Sequence, residues 1–311
     1  MTNHIDASRQ LLDMKVLPDY ETVREIINIF AQRYSWVSVT SIGETTLGKS
    51  LYMIDLGAPD AESEVLYVAS HSALDYVTTL ILLRFINEYC EYYKNSSIAF
   101  GINIKKLFQS RCIHVIPCLN ADGIDIHLKG IEKSCVLYER LWNMSGGDFS
   151  KWESNARGVD LRYNYDSGFY NTKNTKNNKT LEAGSDGYRG VLPESESETG
   201  ALANYLRFNE NIKAVISLQT SGSVIEYTSG GKCSNGAYSI AKQMQLLSGY
   251  SIDEPKYDSP CGRLIDWVIE KIGVPMFAVG CGEGINPVPV SEFYKIYSEM
   301  RRTLFSFPLL I

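Results

Sequence analysis

Hydrophobic residues fall into two kinds of run along this chain. Short unbroken runs, Glu64-Val65-Leu66-Tyr67-Val68 and Cys112-Ile113-His114-Val115-Ile116-Pro117, have the length and β-branched content of strands covered on both faces. Longer runs repeat at helical spacing. Val23, Ile26, Ile27, Phe30 and Ala31 line one face of a helix predicted over 20–34, with Asp19 placed to cap it. Leu80, Leu83, Phe85, Ile86 and Tyr89 do the same over 77–93. Further strands are predicted at 36–42, 51–56, 214–218 and 276–279, with a turn over 43–49. Further helices are predicted at 196–208, 237–247, 261–272 and 290–304. Strands that alternate with helices predict an α/β single domain: a mixed, mostly parallel twisted sheet with helices on both faces. It would occupy 19–311 behind a polar N-terminal lead of residues 1–18. The stretch 131–189 reads as loop-rich, and its polar tract 171–179 as a surface loop.

Composition narrows the function classes. A hydrophobic content of 44% in 311 residues supports a sizeable core, and the net charge of −6 argues against nucleic-acid or anionic-membrane partners. The seven cysteines (Cys90, Cys112, Cys118, Cys135, Cys233, Cys261, Cys281) are odd in number, scattered and without a CxxC pair, which reads as reduced thiols. No signal-peptide pattern or membrane-length apolar run is visible, so a cytoplasmic location is expected.

The candidate chemistry gathers after the strand 64–69, in Ser70-His71-Ser72-Ala73-Leu74-Asp75, where the chain leaves a buried strand and enters a helix. Such loops carry function in α/β proteins, and this one offers a histidine, serines and a carboxylate.

Several segments in order carry a resemblance. They are Ser41-Ile42-Gly43 through Gly48-Lys49-Ser50, Val115-Ile116-Pro117-Cys118-Leu119-Asn120-Ala121-Asp122-Gly123, and Ser154-Asn155-Ala156-Arg157-Gly158-Val159-Asp160-Leu161. With Pro193 to Thr199 and Gly284-Ile285-Asn286-Pro287-Val288-Pro289, they resemble zinc carboxypeptidases, in particular the bacterial branch that cuts γ-D-glutamyl-diaminopimelate bonds of murein peptides. The resemblance runs from about residue 20 to the end. It implies a zinc carboxypeptidase-like fold in which His-x-x-Glu and a distant His bind zinc and a later Glu acts as general base. Such a zinc keeps one position for water and lowers its pKa to about 7.

Lining Tyr76-Val77-Thr78-Thr79 up with the family's aromatic-Ile-Thr-Thr puts Ser72 at the first His position and Asp75 at the Glu position, with His71 one residue early. Gln219 stands where the second His is expected and Gly280 where the general base is expected. No histidine follows His127. Loss of a catalytic set that acts as a unit removes on the order of 10⁴–10⁶ in rate. The resemblance also implies that Arg157 binds an oxyanion or a substrate carboxylate, and that Arg162-Tyr163-Asn164, Tyr257 and Arg263 hold substrate, although Arg162 is one position early.

Plainer readings stand beside these. His71 reads as a hydrogen-bonded loop histidine and His114 as packed in its strand. Asp75 reads as a helix cap as readily as a site residue, Asn120 and Gly123 as a turn, and Arg157 as an ion-pair partner as readily as an anion binder. Cys281, next to Gly280, has no identifiable histidine to activate it. The expectation is a pseudoenzyme with its zinc site lost, needing no cofactor and binding a small peptide or carboxylate ligand, cell-wall-derived by the resemblance. The alternatives are an active zinc metallopeptidase that uses relocated ligands, His71 and Asp75 with Glu283, and a structural or regulatory protein whose cleft is filled.

Overall fold

The computed structural model describes residues 14, 16–61, 63–170, 182–253 and 261–311. Most of the N-terminal lead, the polar tract 171–179 and Tyr257 therefore lie outside the described residues. The sheet has eight strands. In chain order they are β1 Ser38–Glu44, β2 Ser50–Leu56, β3 Ser63–Ala69, β4 Arg111–Ile116, β5 Ile212–Gln219, β6 Val224–Glu226, β7 Ser251–Ile252 and β8 Met276–Gly280. Their order across the sheet is β1-β2-β4-β3-β5-β8-β6-β7. The central strands β4, β3, β5 and β8 are mutually parallel, while β1, β2 and β6 join antiparallel. The mixed, largely parallel sheet of a single α/β domain is what the sequence led us to expect.

The burial of β3 explains its unbroken apolar run. Val65, Tyr67 and Ala69 face one core with helices α1 Tyr20–Arg33, α2 Tyr76–Lys94 and the C-terminal helix Phe293–Ser306, while Leu66 and Val68 face another with helix Ser197–Phe208 and Trp267. A strand with side chains buried on both faces has no polar face to present, so alternation disappears. Asp19 caps α1 as expected, its Oδ1 accepting from the Thr22 amide at 2.8 Å.

Several elements differ from the sequence reading. Asn120 and Gly123 do not form a simple turn: Asn120 caps helix Ala121–Lys129, its Oδ1 accepting from the Gly123 amide at 3.0 Å. Gly123 is required because a Cβ there would lie 2.3 Å from the Ser154 carbonyl, where a cleft loop rests on this helix. The region 131–189 contains a helix, Tyr138–Ser145, whose eight residues are too few to show a clear period. The helix expected over 261–272 is shorter, Leu264–Trp267 with a π turn Val268–Ile272, and the one expected over 290–304 begins as a 3-10 turn before Phe293–Ser306.

His114 is held between two carboxylates, with Nδ1 2.8 Å from Asp55 Oδ1 and Nε2 2.9 Å from Glu64 Oε2. Both ring nitrogens face acceptors, so the imidazolium is the form that satisfies the site. Burial alone would lower its pKa, but the Asp55 and Cys112 contacts raise it from 6.5 to about 10. A folded pKa above the unfolded one gives stability that is complete below pH about 6.5 and lost as pH rises toward 10. The urea midpoint of the wild type should therefore fall through that window more steeply than that of His114→Asn. Parallel curves would refute the assignment.

Candidate functional site

Parallel strands deliver their C-terminal ends to one edge of the sheet. Ala69 lies opposite Leu218, and Gly280 lies opposite Gln219. The loop 70–75 after β3, Gln219 at the end of β5 and Gly280 at the end of β8 therefore meet, which is where open α/β sheets place ligands. The turn out of β3 runs through Ser70, whose φ of 59° is uncommon for a residue with a side chain. Its Oγ holds the loop by hydrogen bonds with the Asp75 carbonyl at 3.0 Å, Thr78 Oγ1 at 3.0 Å and Thr79 Oγ1 at 2.9 Å.

Each polar side chain of that loop has its own protein partners. His71 is buried, its Nε2 2.9 Å from Tyr165 Oη and its Nδ1 3.5 Å from Ser217 Oγ. Burial pushes its pKa down to about 4, with the nearby Arg162 adding to the effect and Asp160 opposing it, so the ring is neutral at neutral pH. Ser72 Oγ accepts from the Leu74 amide at 3.2 Å and donates to Glu153 Oε2 at 3.4 Å. Asp75 is not a side-chain helix cap. Its Oδ1 accepts from Thr220 N at 3.0 Å, Thr220 Oγ1 at 2.7 Å and Asn286 Nδ2 at 3.5 Å, while Oδ2 is buried without a donor. Burial raises its pKa against the pull of Arg162 and Thr220.

Beside the loop lies a cavity of about 230 Å³ lined by His71, Arg162, Gln219, Glu226, Arg263 and Met276 among others. Both of these arginines are ion-paired within the chain. Arg162 Nε and Nη2 grip Asp160 at 2.9 and 2.7 Å, and Nη2 also meets Glu153. Arg263 Nη1 reaches both oxygens of Glu226 at 2.8 and 2.9 Å, and its Nη2 reaches Asp266 at 3.2 Å. Burial opposes the charge of each arginine, and the carboxylates more than restore it. Tyr163 lines the cavity and stacks under Arg162, its ring centre 5.6 Å from Cζ.

Other expected site residues lie elsewhere. Arg157 is exposed on the surface, 3.6 Å from Glu196, and does not line the cavity. Asn164 is fully buried and bonded within the protein, so it cannot reach a substrate. Cys281 is buried and its thiol is pushed up by burial, the opposite of an activated nucleophile. Glu283 is exposed and pairs with Lys295 at 3.5 Å. Among the described residues no three His, Cys, Asp or Glu side chains are grouped so as to hold a metal ion. The sequence reading missed Glu153, Asp160 and Glu226 as members of this site. Glu153 and Asp160 flank the Ser154-Asn155-Ala156-Arg157 segment, and an unpaired count of charges around Arg162 was the signal that could have found them.

Comparison with known proteins places these observations. The zinc carboxypeptidase family pattern matches residues 23–279. A γ-D-glutamyl-L-diamino acid endopeptidase of Lysinibacillus sphaericus is 28% identical over 285 residues, covering 90% of this chain and 69% of that protein. The uncharacterised protein YqgT of Bacillus subtilis is 29% identical over 279 residues, covering 89% and 72%. Among solved structures, bovine thrombin-activatable fibrinolysis inhibitor superposes with a TM-score of 0.72 at 18% identity, covering 95% of this chain and 97% of that one. The murein-tripeptide amidase of Escherichia coli O157 gives 0.54 at 18% identity, covering 86% and 91%. Likeness at such identity speaks for the fold.

Proposed function

The chain belongs to the zinc carboxypeptidase family, and from that premise we propose that it is a non-hydrolytic member, one that holds a short peptide in its cleft without cutting it. The observation that carries this reading is the donor set at the strand ends: a hydroxyl at Ser72, a carboxylate at Asp75, an amide at Gln219 and no side chain at Gly280. Zinc in structural and catalytic sites is held by imidazole, thiolate and carboxylate. Here the imidazole of His71 faces Tyr165 and Ser217, and Ser72 and the Oδ1 of Asp75 are engaged with protein groups. Of these groups only Asp75 Oδ2 is left without a protein donor, and a single carboxylate oxygen is too few ligands to fit the ion. The position expected to supply the general base offers none, because Gly280 has no side chain, and the His71 ring is buried against Tyr165.

Ligand recognition by a terminal carboxylate at the paired donors of Arg162 or Arg263 would need them to release a carboxylate of this chain. A peptide held through the cavity and its aliphatic wall, Leu264, Ile265, Met276 and Ala278, avoids that cost. The relative that acts on γ-D-glutamyl-L-diamino acid bonds makes peptides of that chemistry the first to try. Incubated with such a peptide and added zinc, the protein should release no product while retaining measurable binding by calorimetry. Chelator-sensitive turnover would overturn the proposal. The relocated-ligand alternative gains no support, since His71, Asp75 and Glu283 have separate partners. No helix among the described residues is long and apolar enough to cross a membrane.

A further inference from the structure

We infer that Arg162 is the resident cation of this cleft: its guanidinium supplies the positive charge that the converging acidic groups require and keeps divalent ions out. This rests on the non-hydrolytic reading and says what stands in place of the metal.

The geometry is specific. Asp160 is fully buried, and both of its oxygens accept from Arg162, Oδ1 from Nε at 2.9 Å and Oδ2 from Nη2 at 2.7 Å. The same Nη2 meets Glu153 Oε2, the oxygen that also receives Ser72 Oγ at 3.4 Å. Arg162 thus sits one hydrogen-bonded step from Ser72 and within electrostatic reach of Asp75. It shares a cavity wall with His71 and Gln219. Two carboxylates, Glu153 and Asp160, therefore share one guanidinium, and a planar fork matches a carboxylate in a way a spherical ion does not. Placing the arginine one residue ahead of the family's position puts it on the 3-10 turn Leu161–Tyr163 directly after Asp160, which caps that turn through the Arg162 amide at 3.2 Å.

Removing this cation leaves buried acid without a counter-charge, which is strongly destabilising. The two carboxylates that remain, Glu153 and Asp160, offer oxygen donors only, which match a hard divalent ion such as calcium better than zinc. The test is the melting temperature of Arg162→Ala, alone and with low millimolar methylguanidinium or calcium chloride, beside the wild type under the same additions. The variant should melt at least about 5 °C lower. A partial recovery with either cation, absent in the wild type, supports the inference. No response to both cations, an equal response in the wild type, or a variant as stable as the wild type overturns it. Should Arg162→Ala not fold, the double variant with Glu153→Gln should recover folding, and an equally insoluble double variant also overturns it. Zinc content and turnover of the wild type decide the parent reading separately.

Discussion

Gly280→Ala is expected to destabilise the protein by about 3 kcal/mol, a loss typical of overpacking in a site that cannot relax. A Cβ at this position would stand 2.4 Å from the Ser221 carbonyl oxygen and 3.2 Å from Val224 Cγ1. Both obstacles are fixed: Val224 is paired to Gly280 across the sheet, and the Ser221 segment is tied down by Ser221 Oγ donating to the Gly284 carbonyl at 2.8 Å. The helical Gly200 provides the control. The nearest atom to a Cβ there is 3.4 Å away, so Gly200→Ala should be neutral or slightly stabilising. Urea denaturation of the two variants measures the difference, and equal midpoints would contradict the packing argument. The same obstruction bears on chemistry, because no larger side chain fits at 280 without moving the 220–223 loop. Writing glutamate back into this position should give a less stable protein and no activity.

Asn164→Ala should be among the costly substitutions near the cleft, at about 3–4 kcal/mol, because it leaves several buried groups without partners. The Asn164 Nδ2 donates to the carbonyls of Arg189 at 2.7 Å and Leu192 at 3.1 Å and to Ser195 Oγ at 3.2 Å. Its Oδ1 accepts from the Glu196 amide at 3.2 Å and from Thr199 Oγ1 at 2.6 Å. One amide thus fastens the segment 189–199 to the loop that carries Arg162. Asn164→Asp keeps the acceptors but loses the donors and buries a charge, so it should be at least as damaging. The checks are the urea midpoint and the rate of proteolytic cleavage within 182–196. A substrate-binding residue would instead lose ligand affinity with stability intact.

That contrast shows where sequence was informative and where it stopped. The buried strand 63–69, the helix capped by Asp19 and the order of strands and helices follow from local apolar spacing and cap chemistry, so they were legible. The short helix Tyr138–Ser145 was not, since two turns hold too few residues for a period. In the cleft, the identities of Ser72, Asp75, Gln219 and Gly280 could be read, but their partners could not. Asp75 is bound by Thr220, 145 residues later, and Arg263 by Glu226, 37 residues earlier. Such pairing depends on the sheet order. For the same reason Asn164, Arg162 and Arg263 read as ligand-binding groups in the sequence, whereas folding turns them toward this chain's own carbonyls and carboxylates.

The central claim is that this cleft carries its own cation and holds no catalytic zinc. Its most direct test is the metal content of the purified protein after dialysis against excess zinc and removal of free metal. The account predicts zinc far below one ion per chain, unchanged by Ser72→Ala or Gln219→Ala. One tightly held zinc per chain, lost on either substitution, would contradict it.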